Sequence, residues 1–196
     1  MYMIARTHDM AAITALTFVV VIISPLPPLS LATILLSLLA NQLGAIAPDI
    51  DQPTAPFWRN VSFGRLFGSA ATRLLGGHRF LTHSLVGVAL AGWLFGLLLQ
   101  FLQPIMPNVQ VEYVWWAFMI GMISHLIMDS FTKEGVPWLL PLPIKFGFPP
   151  LRRLRVTTGK IVESFVIFPV LVILLILLCT MYYGDLVDLF HNEPIS

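Results

Sequence analysis

Charge is what this sequence has least of. Only 11% of its 196 residues are Asp, Glu, Lys or Arg, against roughly a quarter in ordinary soluble domains. That leaves too little polar surface to cover a water-soluble globule. The net charge is only +1, which excludes a basic protein built to coat nucleic acid, and no nucleic-acid partner is expected. There is one cysteine, Cys179, so an intrachain disulfide and a thiolate metal cage are both excluded. What is present is apolar: 57% of the residues are hydrophobic, and the mean hydropathy is +0.85. This excludes a disordered chain. The expected class is an integral membrane protein forming a single membrane-embedded domain over residues 1–196.

Five apolar stretches carry this expectation: Met10–Ile23, Leu29–Ala47, Leu85–Leu102, Val111–Met128 and Ile161–Tyr183. A spanning helix needs about 20 mostly apolar residues. The fifth is long enough and the middle three are near the lower limit. The first is short unless it extends back through Thr7 and His8. Arg6 followed by an apolar run imitates a signal peptide, but Pro25, Pro27, Pro28 and a second apolar run follow instead of a small-residue cleavage site. The expected fold is therefore all-α, with about five transmembrane helices, the first one short. Within the loop 52–77, Phe57–Leu75 alternates arginines with Trp58, Val61, Phe63, Leu66 and Phe67. That pattern suits an amphipathic helix lying in the headgroup region.

The scarce cations are unevenly placed. Arg6 precedes the first stretch. The other ten lie in or at the edges of two long connections: Arg59, Arg65, Arg73, Arg79, Lys133, Lys145, Arg152, Arg153, Arg155 and Lys160. If all five stretches span, these connections and the N-terminus share one membrane face. The positive-inside bias makes that face cytoplasmic and puts the C-terminus outside.

The same face collects most of the histidines. His8 precedes the first stretch, Asp49 and Asp51 follow the second, His78, Arg79 and His83 precede the third, and His125 and Asp129 close the fourth. Glu112 and His191 fall on the opposite face and are excluded. His125 and Asp129 are four apart, so both point from one side of a helix. Asp49 and Asp51 are two apart, so an extended backbone would align them. Arg79 and His83 align likewise if the third helix begins near His78. Imidazole and carboxylate oxygen are the donors expected for zinc or manganese where thiolates are absent. Several of each can hold one or two ions, an arrangement suited to phosphoester cleavage. Arg79 has the planar fork that matches a phosphate. Glu163, three residues after Lys160, is either that lysine's ion-pair partner or an outer support for a ligating imidazole. The run Arg152, Arg153 and Arg155 suits a membrane-surface anchor or an anionic lipid headgroup.

Taken in order, the motifs have a precedent. They are Thr7-His8, Pro48-Asp49-Ile50-Asp51, His78-Arg79-x-x-Thr82-His83-Ser84, Ser124-His125-x-x-x-Asp129 and Thr132-x-x-Gly135-Val136-Pro137. This set resembles the YdjM-like family of LexA-regulated, inner-membrane, metal-dependent hydrolases of bacteria, from about residue 5 to about residue 165. The family's Gly-His-Arg-Gly segment departs here to Gly77-His78-Arg79-Phe80, which alters the turn and keeps the histidine. The resemblance implies a multi-pass membrane protein with a divalent metal, and His8, Asp49, Asp51, His78, His83, His125 and Asp129 as ligands. It also implies induction by DNA damage. The family is distantly similar to zinc-dependent phospholipase C-type enzymes.

The resulting expectation is a bacterial inner-membrane hydrolase of a phosphoester, such as a lipid headgroup or lipid-linked phosphate, with zinc or manganese as cofactor. Its partners would be membrane lipid and an anionic, phosphate-containing substrate. Arg79, His83 and Glu163 are the catalytic candidates. The competing readings are a stress-induced membrane adaptor with a structural metal, and a metal or proton transporter. No polar ladder crosses the apolar stretches, and no inverted repeat is evident, which speaks against the transporter.

Overall fold

The computed structural model describes residues 5–23, 26–27, 29–52, 58, 64–74, 80–142, 144–157 and 161–191. Among them are seven α-helices: α1 (Ala5–Ile23), α2 (Leu31–Ile46), α3 (Gly64–Leu74), α4 (Leu85–Leu102), α5 (Val111–Ser130), α6 (Phe168–Met181) and α7 (Tyr183–His191). Five are long and apolar enough to cross a bilayer once their flanking turns are included: Ala5–Ile23, Leu31–Asp51, Leu85–Ile105, Val111–Ser130 and Glu163–Met181, of 19 to 21 residues each. The all-helical, five-span reading holds. The first span reaches full length because its helix does extend back through Thr7 and His8.

Helix starts follow local chemistry. The Ser30 hydroxyl accepts from the Thr33 N–H (3.1 Å) and caps α2. Ser84 does the same for α4 through Gly87 (3.1 Å). Each satisfies one of the donors that a helix start leaves without a partner. Ser84 also means that α4 begins at Leu85, not near His78, so His83 sits in the turn before the helix.

The central element is α5. Half of its apolar window is buried, against 6% for the last span, so α5 is surrounded by helices and the last span lies at the periphery. The closest approach is between α2 and α5, and two glycines permit it. A Cβ at Gly44 would stand 2.1 Å from the Phe118 carbonyl oxygen, and one at Gly121 would stand 2.1 Å from that of Asn41. Close backbone contact of this kind drives helix association where lipid removes the hydrophobic gain. Beside it, Asn41 Nδ2 donates to the Ala117 carbonyl (3.1 Å), and Gln42 Nε2 donates to Asn41 Oδ1 (3.3 Å).

The ends of the bundle are tied separately. At one end, Ser30 Oγ donates to the Asn108 carbonyl (2.6 Å) and the Gln110 N–H donates to Thr33 Oγ1 (3.0 Å). At the other, Arg6 Nη2 donates to Ser164 Oγ (3.3 Å), and its guanidinium lies 5.1 Å from the Phe168 ring centre, which holds the last span to α1. The last span opens with a π-helical turn, Glu163–Ile167. Pro169 explains it: its ring lacks an N–H and crowds the carbonyl four residues back, so the turn widens.

The segment after α5 folds back on the bundle. Val136 and Phe146 exchange backbone hydrogen bonds (2.8 and 2.9 Å). Gly135, at φ +67°, makes the turn, and a Cβ there would meet the Phe146 carbonyl oxygen at 2.5 Å. Trp138 pins the segment at both helices, donating from Nε1 to Ser130 Oγ (2.9 Å) and accepting from the Leu85 N–H (3.0 Å). Helix α3 covers the end of α2, with Thr72 Oγ1 donating to the Asp51 carbonyl (2.5 Å) and Trp58 Nε1 to that of Ile50 (2.9 Å).

Candidate metal centre

Five side chains from four separate segments meet at the Arg6 end of the bundle. His8 comes from the first turn of α1, Asp49 from the turn ending α2, His83 from the turn before α4, and His125 and Asp129 from α5. All but Asp49, whose side chain is 23% exposed, are essentially inaccessible. The His125–Asp129 spacing places both on the buried side of α5, as read from the sequence.

Asp129 is the hub. Its Oδ1 lies 3.6 Å from His8 Nε2, and its Oδ2 lies 3.3 Å from His83 Nε2 and 3.8 Å from His125 Nε2. Asp49 Oδ1 closes the arrangement, 3.8 Å from His83 Nε2 and 3.7 Å from His125 Nε2. The His8 ring stacks on that of His125, with centres 3.8 Å apart and planes 11° from parallel. Two triads satisfy a common metal-binding separation: His8, His125 and Asp129, and Asp49, His83 and His125.

The tautomers follow from the outer contacts. His125 Nδ1 lies 2.6 Å from the Ala45 carbonyl oxygen. A carbonyl only accepts, so Nδ1 carries a proton and Nε2 is the ring atom that faces the carboxylates. That carbonyl is available because the α-helix stops at Ile46. Pro48 cannot donate, and a 3-10 turn, Ala47–Asp51, follows. For His83, the Thr82 hydroxyl gives its proton to Asp51 Oδ2 (2.5 Å) and so accepts from His83 Nδ1–H (3.0 Å). His83 Nε2 thus also faces Asp49 and Asp129. Burial is the largest influence on His83 and pushes its pKa below the ordinary histidine value, outweighing the hydrogen bond to Asp129 that favours the charged ring. That direction favours the neutral imidazole, the form that ligates metals.

These residues fit a divalent ion. The Nε2 atoms of His83 and His125 both face carboxylate oxygens, and His125 Nε2 has no hydrogen-bond partner among the described residues. Four of the five N···O separations, 3.6 to 3.8 Å, exceed the usual N–H···O distance of about 2.7–3.2 Å, and the fifth, His83 to Asp129 at 3.3 Å, lies at its edge. They resemble instead the ligand–ligand edge, about 3.3 Å, of a tetrahedron with zinc bonds of about 2.0–2.1 Å.

Asp51 stands differently from its sequence reading. The backbone at 47–51 is a 3-10 turn and not extended, so Asp49 and Asp51 do not align. Asp49 faces the cluster, while Asp51, fully buried, stands behind His83 and orients it. Glu163 is fully buried in the π-helical turn but belongs to neither triad. His78 and Arg79 lie outside the described residues. Glu112 lies at the opposite end of α5 from Asp129. Sequence reasoning missed the Ala45 carbonyl, which no side-chain pattern encodes, and the Asn41–Gln42 pair. That pair is legible in principle as adjacent amides in an apolar run.

The molecule is thus a five-span helical protein with a buried His/Asp cluster at one end of its bundle. A family model described as "YdjM inner membrane protein" matches residues 3–186. The uncharacterized protein YvsG of Bacillus subtilis (strain 168) is 30% identical over 168 residues, spanning 84% of this chain and 88% of that protein. The chain belongs to the YdjM inner membrane protein family. No solved structure matches it.

Proposed function

We propose that this chain is a metal-dependent hydrolase of a phosphoester, lipid-borne or lipid-linked, working at the cytoplasmic surface of the inner membrane. The observation that carries the proposal is the pair of imidazoles, His83 and His125, each with its Nδ1–H committed outward and its Nε2 turned toward Asp49 and Asp129. His8, Asp49, His83, His125 and Asp129 would hold a divalent ion, zinc or manganese. The two triads share His125, whose Nδ1 is committed to the Ala45 carbonyl, so its single Nε2 would serve one ion in either triad. A divalent ion in such a place supplies Lewis-acid polarisation of a phosphoryl oxygen and acidification of water.

The chain's own residues do the rest. Asp51 and Thr82 keep His83 in the ligating tautomer. Asp49, the most accessible of the five, marks the side from which substrate arrives. Arg79 supplies a guanidinium for phosphate charge. The cation-rich connections face the cytoplasm by the positive-inside bias, where lipid headgroups are within reach. The test is a metal analysis of the purified protein combined with a phosphoester and lipid hydrolysis screen in detergent. The reading expects stoichiometric zinc or manganese and turnover that both disappear in His125→Ala. Metal-free, folded wild-type protein overturns it.

Burial of four of the five residues favours one second reading, a structural metal in a non-enzymatic adaptor, since closed sites are characteristic of structural zinc. In that case chelation unfolds the protein and no substrate turns over. A transporter has less support, because the cluster sits at one end of the bundle. Ion flux in vesicles would be its signature.

A further inference from the structure

A second feature lies apart from the metal cluster: none of the five cluster residues lines it. It is an open groove of about 860 Å³ between the segment after α5 and the start of the last span. One wall is apolar and belongs to the membrane-crossing helix. Ile161, Val162 and Phe165 form it, 74%, 50% and 75% exposed. The other wall holds Lys133, Arg153 and Arg155, and no acidic residue is among the described residues that line the groove.

The cations have different duties. Arg155 is a clip: its Nε donates to the Pro149 carbonyl (2.8 Å) and its Nη2 to that of Pro150 (3.2 Å). Lys133 and Arg153 are exposed and form no ion pair among the described residues. Their position is held from behind, since Arg152 Nε donates to the Lys133 carbonyl (3.1 Å) and the Lys133 N–H to that of Val156 (3.2 Å). Ser164, also in the groove, accepts from Arg6, so a further cation stands at its edge.

An apolar wall at the start of the last candidate span, joined to cations that form no ion pair among the described residues, matches one kind of molecule in shape and charge. We propose that the groove is a binding site for an anionic phospholipid, with its phosphate on Lys133 and Arg153 and an acyl chain along Ile161, Val162 and Phe165. Zwitterionic lipid fills the apolar wall equally well but brings its own cation, so discrimination resides in the two basic residues. Each is expected to contribute about a fivefold preference, as cations near a membrane surface do.

The test titrates full-length protein in detergent with phosphatidylglycerol or phosphatidylcholine of identical chains, counting retained lipids by native mass spectrometry. Wild type should retain phosphatidylglycerol at least tenfold better. Lys133→Gln with Arg153→Gln should abolish the preference while metal content and melting temperature stay unchanged. Lys145→Gln, an exposed cation outside the groove, should leave it intact. Equal retention of the two lipids by wild type overturns the proposal. So does an equal loss in Lys145→Gln, which would indicate general charge attraction. Displacement of phosphatidylglycerol by an equal concentration of soluble glycerol phosphate also overturns it, because the acyl wall would then contribute nothing. All arms are read without turnover, so a failed hydrolase reading leaves them interpretable.

Discussion

Thr82 is a small residue with a large assignment. Its hydroxyl holds one proton and gives it to Asp51, which fixes the direction of its hydrogen bond with His83. Thr82→Val keeps the shape and removes that relay. Supporting partners of this kind usually account for 10- to 100-fold in metal affinity. The expected outcome is a metal affinity lowered about 10-fold or more in a competition assay with a coloured chelator, with an unchanged fold. Asp49→Asn and Asp51→Asn should then separate. The first removes a charged donor facing the cluster and lowers the bound-metal count. The second leaves all five donors in place and weakens affinity to the level of Thr82→Val. Equal loss of stoichiometry in both would place Asp51 among the ligands after all. The residue-level content of the site was largely legible in the sequence, because each ionisable group in an apolar chain stands out. The division of labour between Asp49 and Asp51 was not. It depends on whether the backbone after Pro48 is extended or a 3-10 turn, and an Asp-x-Asp spacing is the same in both.

At the scale of elements, the α2–α5 crossing decides the geometry, since Ala45 lies one residue from Gly44 and supplies the carbonyl that orients His125. Adding a methyl group at Gly44 or Gly121 must push backbone away from backbone, and no side chain can yield to make room. Gly44→Ala and Gly121→Ala are each expected to destabilise by about 2 kcal/mol or more, in the range of overpacked cores, and to lose metal together with stability. A Cβ at Gly184 would meet nothing within 4 Å, so Gly184→Ala should stay within roughly 0.5 kcal/mol of wild type. Thermal melting in detergent measures all three. The spans were readable because length and apolarity suffice to define them. The end of each helix was less so, as shown by α1, which starts earlier than its apolar run, and α4, which starts later than its histidines. Local caps and the close packing of neighbours set those limits.

For the whole molecule, the cluster joins α1, α2, the turn before α4, and α5 at one end of the bundle. An ion bound only by the folded state stabilises by about 2.7 kcal/mol when present at a hundred times its dissociation constant. Chelator is therefore expected to lower the melting temperature of wild type and to have no effect on His125→Ala. Orientation is tested at the same scale. With Cys179 replaced by alanine, a cysteine at position 153 should react with an impermeant maleimide in inverted membrane vesicles and stay unlabelled in intact cells. Labelling from outside the cell would place the site end on the opposite face.

Asp129 also sets a timetable. Its carboxylate faces all three clustered histidines, yet it is the last of the five to leave the ribosome, 121 residues after His8 by subtraction of their positions (129 − 8). While the chain is being made, His8, Asp49 and His83 are already threaded into the membrane without the group that gathers them. If the cluster holds a metal as proposed, its capture becomes an event of late biogenesis, possible only once the fourth span has joined the second. A cell short of metal would accumulate a fully inserted chain whose helices have crossed the bilayer but whose one polar end has yet to close.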